Sequence, residues 1–280
     1  MRKENQTDQL ASVALIVTPT SPQTWDPWQL GHFLQAVFYE TVSLSSPVFA
    51  DHLHSLNALK PFTVSLPLRW RWPAAHPTPA RTTPAFCIRF TALTEEVCRA
   101  LTAGLLRRSH VSSQLSLGSQ TVDIQEVLFT QEASALARVT SYEELYSGPQ
   151  ARTVRMRFVT PTSFRTGRGN LPFPLPASVY RSLWQKWQRF APLALQLGER
   201  VVTAVEQYLF PARYLLRTET VNLKGVPQVG CVGTCQFELL EGVSAEDRRA
   251  ITALSRFAAY AGVGMKTTMG MGQTLVKTET

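Results

Sequence analysis

Hydrophobic periodicity spells one order of elements twice along this chain, and that limits its fold more than any other feature. Residues 10–18 (LASVALIVT) form a β-branched apolar run stopped by Pro19, the pattern of a buried strand. From residue 28 to about 43, Phe33, Val37, Phe38 and Val42 return every three to four positions, which predicts a helix. Ser46-Pro47 opens a shorter helix, with serine placed to cap it and proline at its first position. Residues 62–68 (FTVSLPL) read as a strand, a loop with Pro73, Pro77, Pro79 and Pro84 follows, and residues 86–93 are the next strand. Thr94, Glu95 and Glu96 start a helix with an acidic first turn, which suits the helix dipole. Strands then fit residues 114–117 and 122–129. The second half gives a strand at 153–159, helix at 177–190 and 195–209, and paired strands at 214–223 and 229–239 around Lys224-Gly225. A helix follows, capped by Ser244 and running to Tyr260, and then a last strand at 273–277. Strand–helix–strand–strand–helix–strand, read twice, predicts an α+β chain of two tandem ferredoxin-like domains, residues 1–147 and 148–280, divided near Tyr146-Ser147-Gly148-Pro149.

Charge separates along the same line. Residues 1–145 carry 11 Lys and Arg against 12 Asp and Glu, whereas residues 146–280 carry 17 against 8. A cationic second half points to a polyanionic partner. All five histidines (His32, His52, His54, His76, His110) fall in the first half, so any imidazole chemistry comes from there. His76 and His110 lie in loop-like sequence and read as surface residues. The four cysteines do not make a disulfide framework. Cys231 and Cys235 have no histidine near them to complete a zinc site, so they read as small buried apolar groups. No clustered acidic set with ligand-like spacing exists, which disfavours a metal nuclease. No run approaches the ~20 apolar residues of a membrane span, and the polar first residues lack a signal-peptide core. These features predict a cytoplasmic protein without metal or cofactor.

The second half also carries Gly262-Val-Gly264-Met-Lys266-Thr-Thr-Met-Gly270-Met-Gly272 between a helix and a strand. A dinucleotide fingerprint needs the strand first and a third glycine where Thr267 stands, and no Gly-Lys-Ser/Thr makes this a phosphate-binding P-loop. Glycines flanking Lys266 let backbone N–H groups approach an anion; they equally suit a tight helix-to-strand turn. Two further stretches stand out: Phe158-Val-Thr-Pro161-Thr-Ser-Phe164-Arg165, and Leu53-His54-Ser-Leu-Asn-Ala-Leu-Lys60-Pro61-Phe62-Thr63-Val-Ser65.

Taken in order, these three motifs resemble the CRISPR-associated endoribonucleases that process repeat RNA, members of the RAMP superfamily. The glycine-rich end, the F-x-T-P-T-x-F-R strand end and the L-H-x(5)-K-P-F-T-x-S segment all match, so the resemblance spans the chain. It implies a metal-independent ribonuclease cutting CRISPR repeat RNA in a precursor transcript to mature guide RNA. The ribose 2′-OH would attack its own phosphate, leaving a 2′,3′-cyclic phosphate and a 5′-OH. The family's Tyr, His and Lys match Tyr39, His54 and Lys60. Histidine suits the proton transfers because its ordinary pKa lies near 6.5. On a helix His52 and His54 point about 200° apart, so only one can face a site, and the motif favours His54. His32, seven residues before Tyr39 on the same helix face, is its rival.

The expected RNA contacts are Arg155 and Arg157, which alternate on one strand face, with Arg165, Arg168, Lys224 and Lys266, and the loop glycines Gly262, Gly264, Gly270 and Gly272. Arg181, Lys186 and Arg189 dot the following helix as further basic positions. Precursor and guide RNA are the expected partners and a membrane is not; a homodimer and an effector complex stay open. The alternative function is a non-catalytic RNA-holding subunit of the same superfamily.

Overall fold

Alternate residues of the first strand pack against different layers, and this sets the architecture. A computed structural model describes residues 8–21, 27–69 and 84–280. The proline-rich stretch up to residue 83, with His76, falls outside these.

Strand β1 (Gln9–Pro19) is followed by helices α1 (Gly31–Ser45) and α2 (Pro47–Ser55), strands β2 (Phe62–Val64), β3 (Leu68–Arg69) and β4 (Phe86–Ala92), and helix α3 (Glu95–Val111). Then come β5 (Gln114–Leu117), β6 (Gln120–Leu128), β7 (Arg138–Ser141) and α4 (Tyr142–Ser147). The antiparallel sheet runs β2-β4-β1-β6-β5, with β3 beside β4 and β7 beside β1. Val13, Leu15 and Val17 of β1 face a core closed by Leu34, Val37, Phe38 and Val42 of α1 and Leu101 and Leu105 of α3. Ala14 and Ile16 face the other way, against Cys87, Ala137 and Leu136.

The second half contains β8 (Thr153–Thr162), β9 (Phe164–Thr166), β10 (Gly169–Leu171), α5 (Pro176–Phe190), α6 (Arg200–Tyr208), β11 (Leu209–Leu223), β12 (Val226–Leu239), α7 (Ala245–Ala261) and β13 (Thr274–Glu279). Its sheet order is β11-β12-β8-β13, all antiparallel. In both sheets the four framework strands stand in the order second, third, first, fourth, which is the ferredoxin-like arrangement expected from the sequence. Trp187, Tyr180 and Phe257 fill the second core, joined by Tyr142 and Leu145 from α4.

Several sequence expectations need correction. The strand expected over 62–68 is two strands, interrupted around Pro67, which has no N–H to give a ladder. His110 lies in the last turn of α3, not in a loop. The helix expected from residue 195 begins at Arg200, after Gly198. Strand β7, helix α4 and the β9–β10 hairpin are short, and their periodicity did not announce them. The caps behave as read at Ser46 and Ser244, whose hydroxyls accept from Phe49 and Asp247 N–H, while Thr94 caps without a side-chain bond. No helix among the described residues is long and apolar enough to cross a membrane.

A buried polar network joins the halves. Arg89 on β4 donates to Ser12 Oγ (2.6 Å), Leu136 O (3.0 Å) and Ala259 O, and to Gln273 Oε1 (3.1 Å). Burial pulls its guanidinium down to about 10, still a cation at neutral pH. Gln273, next to the last glycine of the Gly-rich loop, donates in turn to Thr63 Oγ1 (2.9 Å) and Val64 O (3.2 Å) on β2. The strand that follows Lys60 and the loop that carries Lys266 are therefore bonded to each other.

Candidate functional site

Phe62 on β2 stacks on Phe38 of α1, with ring centroids 3.9 Å apart, and meets Tyr39 edge-on at 5.4 Å. That packing fixes the chain two residues earlier, where Lys60 Nζ donates to Tyr39 Oη at 2.8 Å. The same ammonium donates to Leu53 O (2.7 Å) and His54 O (2.9 Å), the last carbonyls of α2. Its three donors are thus all used: Lys60 closes a helix end and holds a phenol. Burial lowers its pKa.

His54, exposed in the last turn of α2, presents its ring edge-on to Tyr39, with centroids 5.0 Å apart. Burial pushes the Tyr39 phenol up to about 12, so it is a neutral donor. Its oxygen accepts from Lys60, which leaves its own O–H free to point outward. The structure therefore brings Tyr39, His54 and Lys60 together. His52 lies on the other side of α2, lining a cavity of about 840 Å³ with Phe49, Glu95 and Arg99. His32 sits in the first turn of α1, two turns from Tyr39.

Beside that first turn lies the Gly-rich loop. Gln35 Nε2 donates to Thr268 Oγ1 (3.1 Å), and a Cβ at Gly31 would sit 2.1 Å from Met269 O. Gly262, Gly264, Gly270 and Gly272 all have positive φ. Gly262, Gly270 and Gly272 are buried, and a Cβ on Gly272 would sit 2.1 Å from Val263 O. The loop's N–H groups mostly bond within the protein, as in Met265 to Ser163 O (3.0 Å), Gly272 to Pro161 O (3.0 Å) and Gly264 to Ser182 Oγ (3.1 Å). The glycines shape the loop, while exposed Lys266, itself left-handed at φ 54°, projects from it. Gly272→Ala should lower thermal stability by roughly 1–3 kcal/mol, read from a melting curve, because both its φ and its space forbid a side chain. An unchanged melt would contradict that tight closure.

Sequence reasoning missed the loop's main support. Lys186 on α5 is not a surface cation: it is buried and donates to Ala261 O (2.9 Å), Gly262 O (2.9 Å) and, at 3.5 Å, Gly264 O. Its position among Leu183 and Trp187 on the apolar face of α5 was the available signal.

The basic residues divide into two groups. Arg165 and Arg168 are exposed on the β9–β10 hairpin, Lys224 is exposed at the β11–β12 turn, and these loops meet where Asn170 donates to Gln228 Oε1 (3.4 Å). Lys224 and the loop carrying Lys266 lie beside the first turn of α1. Arg155 and Arg157 are exposed on the open face of β8, and Arg157 lines a groove of about 740 Å³ with Arg69, Arg217, Leu68 and Leu136. Leu136 packs on the face of the first sheet opposite α1. That sheet therefore separates Arg157 from the Tyr39–His54–Lys60 cluster.

Known proteins share this fold. The family of CRISPR-associated endoribonuclease Cas6 matches residues 156–274. The Cas6 (TTHB231) product complex superposes with a TM-score of 0.80 at 27% identity, covering 96% of this chain and 100% of that one. Over nearly its whole length the chain is similar to solved Cas6 structures and shares their fold. A structure of Thermus thermophilus Cas6 (TTHB231) gives a TM-score of 0.73 at 27% identity, over 96% of this chain and 98% of that one. The Cas6 (TTHA0078) product complex gives 0.74 at 26% identity, over 96% and 100%. A Cas6-related protein from Pyrococcus furiosus shares the fold with a TM-score of 0.60 at 11% identity, over 97% and 100%. No curated protein matches this chain by sequence. Similarity extends over both halves, so the Tyr39–His54–Lys60 cluster and the Gly-rich loop lie in one Cas6-like framework.

Proposed function

We propose that this chain is an endoribonuclease that cuts CRISPR repeat RNA within a precursor transcript. Tyr39, His54 and Lys60 act there on the scissile nucleotide, without a metal ion. The observation that carries the reading is the convergence of a half-buried phenol and ammonium with an exposed imidazole, Lys60 Nζ lying 2.8 Å from Tyr39 Oη and the His54 ring beside it. Two solved Cas6 structures similar to this chain are product complexes, and one more is a substrate mimic complex.

His54 takes the proton from the 2′-OH, and the freed oxygen attacks the adjacent phosphorus. The P–O5′ bond breaks, leaving a 2′,3′-cyclic phosphate and a 5′-OH, and a proton returns to the departing oxygen. Tyr39, its oxygen polarised by Lys60, donates to a non-bridging phosphate oxygen as negative charge grows there. Lys60 acts at one remove, through Tyr39 and the end of α2. Arg165, Arg168, Lys224 and Lys266 hold the RNA backbone on the same side, while Arg155 and Arg157 serve a separate stretch of RNA.

The test is cleavage of repeat RNA in excess EDTA, with a second substrate carrying 2′-deoxyribose at the cut nucleotide. Single-site cleavage that persists in EDTA and vanishes with the deoxy substrate is expected. Cleavage that needs added Mg²⁺, or that proceeds on the deoxy substrate, overturns the mechanism. Binding without any cleavage points to the RNA-holding subunit instead.

A further inference from the structure

His32 has no partner in the fold that explains its position. Its Nδ1 is buried and unpaired. Its ring leans on Phe33, centroids 3.8 Å apart. Nε2 makes no hydrogen bond among the described residues either. With no acceptor beside Nδ1, the proton belongs on Nε2, where water or a ligand can take it. Burial disfavours the imidazolium, and nearby Lys224 acts in the same direction. Neither Lys224 nor Lys266 has an ion-pair partner among the described residues. The loop carrying Lys266 is bonded to α1 one turn from His32, through Gln35 and Thr268.

We infer that His32 is a phosphate-binding residue, a neutral Nε2–H donor that with Lys224 and Lys266 holds a backbone phosphate near the cut, and that it takes no part in the proton transfers. The inference rests on the proposed nuclease reading. Seven residues along α1 separate His32 from Tyr39, a rise of about 10 Å on one helix face, which puts the held phosphate one or two nucleotides from the scissile one. Two unpaired ammonium groups select a phosphodiester over a base edge. A neutral donor adds direction without a third positive charge.

The experiment compares His32→Ala and His32→Asn with wild type, reading the Kd for repeat RNA and the single-turnover cleavage rate at saturating RNA. His32→Ala is expected to raise Kd about 5–20-fold, the loss of roughly 1–2 kcal/mol for one hydrogen bond to a charged group. The saturating rate should stay at the wild-type value. His32→Asn, which keeps a neutral donor, should recover most of the affinity. It also shows that any loss in the alanine variant is not misfolding. In His32→Ala/Lys224→Ala the two losses should combine non-additively, since both groups meet one phosphate. A saturating rate that collapses while Kd holds would make His32 the catalytic imidazole and overturn the inference. So would an unchanged Kd. If wild type binds repeat RNA and never cuts it, the nuclease reading fails while the affinity measurements still decide His32.

Discussion

His54→Ala should reduce repeat-RNA cleavage by about 10²–10⁴-fold, the range for losing a positioned general acid or base, with RNA affinity and melting temperature nearly unchanged. The structure makes this substitution unusually clean. Lys60 bonds to the main-chain oxygen of His54, so truncating the side chain leaves the closure of α2 intact. His54 is exposed, and exposed sites of this kind move stability by no more than about 0.5 kcal/mol. Tyr39 keeps its bond from Lys60 and its packing on Phe62. Lys60→Met would not be comparable, because it strips two helix-end carbonyls and a phenol of their donor at once. Single-turnover assays at saturating RNA are the measurement. A His54→Ala protein that cuts at the wild-type rate removes His54 from the mechanism and returns His32 to consideration.

The ferredoxin-like frame was legible because its long elements are strongly patterned. Ten of the first strand's eleven residues are buried, and α1 repeats its apolar stripe through Leu34, Val37, Phe38, Thr41 and Val42. Helix α4 was not legible: six residues offer too little periodicity, and Tyr142 and Leu145 are buried by a core built mostly from the other half. The opposition of His52 and His54 followed from helix geometry alone. The fork in the basic residues did not follow. Alternation puts Arg155 and Arg157 on one face of a strand, but only the packing of the two sheets shows that this face opens away from α1. Lys186 was misread because a lysine on a helix is usually solvated. What overrode that rule is a loop that turns three carbonyls toward it.

Lys186→Met should lower the melting temperature by on the order of 10 °C and weaken RNA binding with it. The ammonium sits at the negative end of α7 and closes Ala261, Gly262 and Gly264 carbonyls in one stroke. One turn earlier on α5, Ser182 accepts from Gly264 N–H, so α5 grips the loop at two points. Methionine fills similar space but leaves the buried carbonyls without a donor, a change worth about 1–3 kcal/mol for each acceptor left unsatisfied. Lys266 and Thr268 ride on the same loop, which is why affinity should fall too. A pH series separates this from ordinary core damage. Burial pulls Lys186 from its ordinary 10.5 to about 7 in the folded chain. Between those values the unfolded chain holds a proton that the folded chain has released, so this residue's contribution to stability grows as pH rises from about 7 to 10.5 and is lost as pH falls toward 7. Wild type should therefore show an upward slope of stability with pH across that window that Lys186→Met lacks. Parallel pH profiles for the two proteins would mean that Lys186 keeps its proton when buried. An unchanged melting temperature at every pH would mean that the loop does not depend on it.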